Sequence, residues 1–214
     1  MDVEYIRPED IENRSFEIIT RELGPEGVCI NGGTLLADDA PEMAVVKRCI
    51  HTTADFDYAK TMWFSEGAIG KFVELLKAGA TIVTDTNMAL SGINKSALAK
   101  FGCDSRCFMA DEEVALEAKE RSVTRAHVSM ERAMKLPGPV IFVIGNAPTA
   151  LITLREHFDS GLYTPAFIVG VPVGFVNVVA AKELIIGSPI PYIVNGGRKG
   201  GSNVAAAIVN AIIK

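Results

Sequence analysis

The stretch PVIFVIGNAPTALITLREHFD, residues 139–159, contains the whole fold in miniature. Val140 to Ile144 are apolar and largely β-branched, bounded by Pro139 and Gly145, the pattern of a strand buried on both faces. Pro148 then opens a helix to about 159, at a first-turn position where its missing N–H costs nothing. The same unit recurs on either side. PAFIVGV (165–171) and PYIV (191–194) read as strands downstream, ATIVTD (80–85) as a strand upstream, and RCFMA (106–110) as a weaker one. Strands that alternate with helices at these lengths pair in parallel through right-handed crossovers. The expectation is an α/β single domain over 1–214, with an open, mainly parallel sheet of about five strands and helices on both faces.

The intervening helices carry their own signals. One is expected from about 112 to 135, with Asp111 as N-cap and Glu112 and Glu113 in the first turn, closing before Pro137-Gly138. The last starts at Ser202, read as its cap, and buries Ile208, Val209 and Ile212. The first third reads as helical. Residues 65–78 place Ile69, Phe72, Val73 and Leu76 on one stripe, ended by Gly79. Residues 41–51 start at Pro41 and carry Met43, Val46 and Ile50 on one face, which puts His51 in a last helical turn.

Composition excludes several classes. A net charge of -5 and a pI of about 5.3 offer no global basic field for nucleic acid or anionic membranes. No apolar run approaches the roughly 18–20 residues of a membrane span, and the acidic start MDVEYIRPEDIENR is unlike a signal peptide. Cys29, Cys49, Cys103 and Cys107 lack disulfide-framework spacing, which points to a cytoplasmic chain. Cys103 and Cys107 stand four apart, but no second Cys/His pair completes a zinc site, and no metal is expected.

Two nucleotide motifs fail on inspection. VIGNAPTAL has one glycine where a dinucleotide turn needs three. GGRKGGS (196–202) spaces Gly196 and Gly201 like a phosphate loop, yet Ser202 and Asn203 stand where Lys-Ser/Thr would grip phosphate and magnesium. What remains are loops after strands: TDTNMALSG, GNAPTAL, GVPVGF and GGRKGGS. They are rich in Gly and Pro and poor in acids. Met88, Leu90, Val173 and Phe175 make them apolar, and Arg198 and Lys199 add positive charge. Such loops suit a large flat apolar ligand with anionic edges, although glycine loops also simply make tight turns.

IGNAPTAL (144–151), VGVPVGFV (169–176) and GRKGGSNVAAAIVNA (197–211), with ERS (120–122), NRSF (13–16) and the His51 segment, closely resemble the precorrin-8X methylmutase family of corrinoid biosynthesis. The resemblance covers nearly the whole chain. It implies a Rossmann-like fold, a homodimer, no redox or organic cofactor, and a tetrapyrrole substrate, precorrin-8X or cobalt-precorrin-8. The implied reaction moves a methyl group from carbon 11 to carbon 12, giving hydrogenobyrinate or cobyrinate. A non-catalytic corrinoid carrier is the alternative from another class. Two departures stand out: residues 24–39 form a longer insert, and Gly196 occupies a position where the family often has arginine.

The resemblance makes His51 the acid that protonates the macrocycle. The residue-level reading agrees, because the dipole at a helix C-terminus and an approaching polycarboxylate both favour imidazolium. Arg14, Arg121, Arg198 and Lys199 are candidates for the substrate carboxylates, with Ser15 and Ser122 donating beside them. Met88, Asn146, Pro148, Thr149, Val173, Gly174, Phe175, Gly200, Gly201 and Ser202 complete the implied binding set. Asp55 and Asp57 are assigned to helix capping or to orienting the imidazole. His127 and His157 read as surface residues.

Overall fold

A computed structural model describes residues 3–214, so the first two residues of the N-terminal stretch and of the 1–214 domain lie outside the described residues. The chain forms α1 (Ile11–Leu23), a hairpin of β1 (Cys29–Ile30) and β2 (Thr34–Leu35), α2 (Pro41–Thr53), the turn α3 (Tyr58–Thr61), β3 (Met62–Phe64) and α4 (Ala68–Lys77). It continues with β4 (Thr81–Thr84), α5 (Asn87–Gly92), α6 (Lys95–Ala99), β5 (Ser105–Arg106), α7 (Glu112–Glu120) and α8 (Arg125–Ala133). Then come β6 (Val140–Ile144), α9 (Pro148–Asp159), β7 (Phe167–Gly170), α10 (Val178–Ile186), β8 (Tyr192–Asn195) and α11 (Ser202–Ile213).

The main sheet has six strands in the order β3-β8-β7-β6-β4-β5. Four of the five parallel strands lie on expected segments, and the fifth, β5 at Ser105–Arg106, is shorter and earlier than the expected 106–110, sharing only Arg106 with it. The sixth, β3, pairs antiparallel with β8 through Met62↔Asn195 and Phe64↔Ile193. It corrects both the count of about five and the wholly helical first third. Residues 24–39 supply the β1–β2 hairpin.

Every residue of β6 is buried, because helices cover both faces and no solvent side exists to demand polar alternation. Ile141 and Val143 point to one core with Phe72 of α4 and Ile208 of α11. Val140, Phe142 and Ile144 point to the other with Met130, Leu151 and Ile185. Each such side chain, fully buried, contributes about 1.5–3 kcal/mol relative to exposure.

Numbered among themselves, the parallel strands run 2-1-3-4-5. This is the flavodoxin-type doubly wound order rather than the 3-2-1-4-5-6 of the Rossmann arrangement. The strand order reverses between β4 and β6, so the ligand crevice of such a sheet lies beyond the carboxyl ends of those strands.

Two helical expectations need correction. The helix expected over 112–135 is two helices, α7 and α8. Ser122 adopts φ +54° between them, and Thr124 Oγ1 accepts the His127 N–H at 3.1 Å, capping a fresh start. Ser202 is the first residue of α11 rather than its cap, and its hydroxyl bonds Thr86 Oγ1 at 2.8 Å instead.

Candidate active site

At the switch point β4 is followed directly by Asp85, fully buried, whose carboxylate reaches across to the loop after β6. Its Oδ1 accepts the Gly145 N–H at 2.8 Å, and its Oδ2 accepts those of Asn146 at 2.8 Å and Ala147 at 2.6 Å. Burial pushes the carboxyl's pKa up, and the three amides pull back toward the charged form. Asp85 thereby fixes the turn that presents exposed Asn146 and starts α9 at Pro148. Gly145 is required here because a Cβ would sit 2.7 Å from Ser202 Cα, where α11 begins.

The loops after β7 and β8 interlock. The Gly201 N–H donates to Val171 O at 2.9 Å, and the Gly174 N–H to Arg198 O at 3.2 Å. Gly200 has φ +158°, and a Cβ there would lie 2.1 Å from Val171 O, so no side chain fits. Beneath them Lys182 of α10, fully buried, donates to Gly197 O and Lys199 O at 2.8 Å each. The rim above is apolar and open: Met88 is 73% exposed, Phe175 81% and Val176 77%. Val173 is 47% exposed, and the Arg198 guanidinium lies 5.4 Å from the Phe175 ring centre.

Of the four cationic candidates, Arg198 alone has no carboxylate partner among the described residues. Lys199 Nζ is held 2.5 Å from both Asp55 and Asp57, which raise its pKa through those hydrogen bonds. The two aspartates therefore bind a lysine rather than orienting the imidazole, while Asp55 Oδ1 also accepts the Asp57 N–H at 3.0 Å just before α3. Arg14 is engaged by Glu4 at 3.0 Å and Glu17 at 3.1 Å, and Ser15 donates to Ile11 O within α1. Arg121 pairs with Glu117 and Glu131 beside Ser122, at the break between α7 and α8. Thr149 Oγ1 accepts from Thr124 Oγ1 at 3.3 Å.

His127 and His157 are half-buried and hydrogen-bonded rather than freely exposed. Their side chains are 23% and 21% exposed; His127 lies 3.1 Å from Glu131 Oε1 and 2.8 Å from Thr153 Oγ1, and His157 bonds Thr153 O at 2.9 Å.

His51 occupies the last turn of α2, exposed, with its ring stacked on Phe16 of α1 at 5.3 Å and 24°. Arg48, one turn earlier, covers the same phenyl ring at 4.7 Å. The imidazole is thus oriented by an aromatic contact, and no side chain among the described residues hydrogen-bonds it. It lines a depression of about 330 Å³ with Ser15, Ile19, Glu22, Ala54 and Phe56. A larger one of about 740 Å³ lies on the other side of this corner, walled by Phe16, Arg21, Lys47, Arg48 and Lys214. The Lys199–Asp55 ion pair ties the crevice loop to the segment that follows His51.

Sequence reasoning missed Asp85, Lys182 and Phe16. The signal for Asp85 was an acid closing an otherwise apolar strand. Lys182 left a lysine in the apolar run VVAAKELII, and Phe16 was already inside NRSF.

Comparison with known proteins places these features. The family model described as precorrin-8X methylmutase matches residues 10–214. The cobalt-precorrin-8 methylmutase of Salmonella typhimurium is 44% identical over 214 residues, covering 98% of this chain and 96% of that one. That of Leptospira interrogans is 42% identical over 212 residues, covering 95% and 92%. The crystal structure of precorrin-8x methyl mutase from Thermus thermophilus superposes with a TM-score of 0.82 at 38% identity, covering 96% of this chain and 94% of that one. The chain belongs to the precorrin-8X methylmutase family, isomerases of cobalamin biosynthesis.

Proposed function

We propose that the protein moves a methyl group from carbon 11 to carbon 12 of precorrin-8X or cobalt-precorrin-8, with His51 lending the proton that assists the shift. The observation that carries this reading is the open apolar rim of Met88, Val173, Phe175 and Val176 at the switch point, with the Arg198 guanidinium, without a carboxylate partner among the described residues, lying over it. A flat macrocycle lays its face on such a rim, and its carboxylates meet the cation at the edge. His51 supports the chemistry. It is open to solvent in the last turn of α2, and Phe16 rather than a carboxylate orients it, so its ring nitrogens stay accessible to a bound substrate. No group is oxidised or reduced, and cobalt, where present, arrives inside the substrate.

The remaining basic residues divide by their present partners. Arg198 is the primary carboxylate ligand. Arg14, Arg121 and Lys199 would exchange glutamate or aspartate partners for substrate carboxylates. Ser15 lies beside His51 in the same depression, which suits a donor near the reacting ring. We also read the protein as a homodimer with its sites near the interface, working in the cytoplasm, where its four free thiols stay reduced.

Incubation with precorrin-8X and, separately, its cobalt form, followed by absorption spectroscopy, tests the reading. Conversion of the chromophore to that of hydrogenobyrinate or cobyrinate is expected. Binding without any spectral conversion would favour the carrier.

A further inference from the structure

A buried lysine that meets no carboxylate needs a reason, since an apolar side chain of similar size would fill the same space without desolvating a charge. Lys182 is such a residue. It is fully buried on α10, and burial alone pushes its pKa down to about 8. Its partners are main-chain carbonyls, those of Gly197 and Lys199. Asn195 adds a second hold from β8, its Nδ2 donating to Lys199 O at 2.9 Å and to Gly196 O at 3.2 Å. The inner side of the 196–200 loop is thus pinned at the Gly196, Gly197 and Lys199 carbonyls.

Peptide planarity gives this pinning a consequence on the other side of the loop. In a trans peptide the C=O and N–H point in opposite directions. With Gly197 O and Lys199 O drawn inward to Lys182, the N–H groups of Arg198 and Gly200 face outward. Neither has an acceptor among the described residues. The loop is bent around them by Gly197 at φ +70° and Gly200 at φ +158°, and it carries the Arg198 guanidinium. Outward amides two residues apart on one turn, as at Arg198 and Gly200, can converge on a single anion.

We infer that Lys182 is a positioning residue for substrate: by holding the Gly197 and Lys199 carbonyls inward, it aims the Arg198 and Gly200 amides at one carboxylate of the tetrapyrrole. The ligand identity rests on the function proposed above. The geometry of the cradle does not.

The test separates the two. Wild-type protein is first assayed with precorrin-8X and its cobalt form, and the converted form's product is then titrated into 15N-labelled protein. Downfield shifts of the Arg198 and Gly200 amide protons are expected on binding; unmoved resonances in a protein that turns over would overturn the cradle and leave the methylmutase reading standing. A wild-type protein that neither binds nor converts either tetrapyrrole would overturn the proposed function and the ligand assigned here together. Lys182→Met, which fills the space and donates nothing, should raise KM by about tenfold or more while kcat stays within about threefold, the signature of lost uniform binding. Lys182→Arg, able to reach both carbonyls, should recover most of the affinity. Unchanged KM in a folded Lys182→Met protein, or kcat and KM changes that merely follow a lower melting temperature, would reduce Lys182 to packing and overturn the inference. Should Lys182→Met fail to fold, the amide titration of the wild type decides alone.

Discussion

Replacing Asp85 by asparagine changes one atom type at the point where the sheet order reverses. The carboxylate accepts three backbone N–H groups, from Gly145, Asn146 and Ala147. An asparagine keeps one carbonyl oxygen, and its best orientation puts that oxygen at Oδ2, retaining the Asn146 and Ala147 bonds. The amide nitrogen then faces the Gly145 N–H, donor against donor, in a fully buried place. An orphaned buried donor costs about 1–3 kcal/mol, and the two surviving bonds drop from charge-assisted to neutral strength. Relief of the buried charge offsets part of this, leaving a net loss of about 2–3 kcal/mol. For a chain of this size each kcal/mol lowers Tm by about 2–4 °C, so a fall of about 4–12 °C is expected by calorimetry or circular dichroism. Turnover should fall more than stability implies, because the loop presenting Asn146 loses its anchor. An Asp85→Asn protein melting within 2 °C of wild type with full activity, on the same scale of about 2–4 °C per kcal/mol, would show that the carboxylate does not hold this loop.

Arg198→Ala should weaken substrate or product binding by about 1.5–3 kcal/mol, with the loss shrinking in high salt; equal affinity at both salt concentrations would remove Arg198 from the site. Glu12 is held by Lys214 at 2.6 Å and by Arg48, and these bonds lower its pKa from 4.5 to about 2. A depressed carboxylate stabilises the fold above its unfolded pKa, and that stability is lost as pH falls through about 4.5 toward 2. Glu12→Gln should therefore flatten the acid side of the Tm–pH curve, and an unchanged slope between wild type and variant would refute the linkage. A homodimer should sediment at twice 22.9 kDa, and a strict monomer with full activity would rule out a shared site.

The parallel strands were legible because burial on both faces leaves a local trace, a short β-branched run such as Val140–Ile144 ended by turn formers. β3 left none: it is an edge of three residues whose partner, β8, is formed by the far end of the chain. The break at Ser122 hid inside continuous helical composition, since what ends α7 and starts α8 is one left-handed residue and one threonine hydroxyl. The crevice loops were readable as Gly- and Pro-rich segments after strands. Their internal supports were not. Asp85 bonds amides some 60 residues away and Lys182 bonds carbonyls 15 and 17 residues on, and no side-chain pattern encodes a main-chain partner. The pairing of Lys199 with Asp55 and Asp57 was equally hidden, since 144 and 142 residues separate them.

Single-turnover conversion of the tetrapyrrole by wild type and His51→Ala, followed by absorbance, bears most directly on the proton-donor mechanism. His51 is exposed and contributes little packing beyond its stack on Phe16, so the variant should fold and still bind the macrocycle through the crevice loops. Its rate of methyl migration should fall by about 10²–10⁴-fold, the scale of general-acid assistance, and unreacted substrate should accumulate on the protein as a coloured complex. A His51→Ala protein that converts the substrate at the wild-type rate would contradict the assignment of the proton to His51.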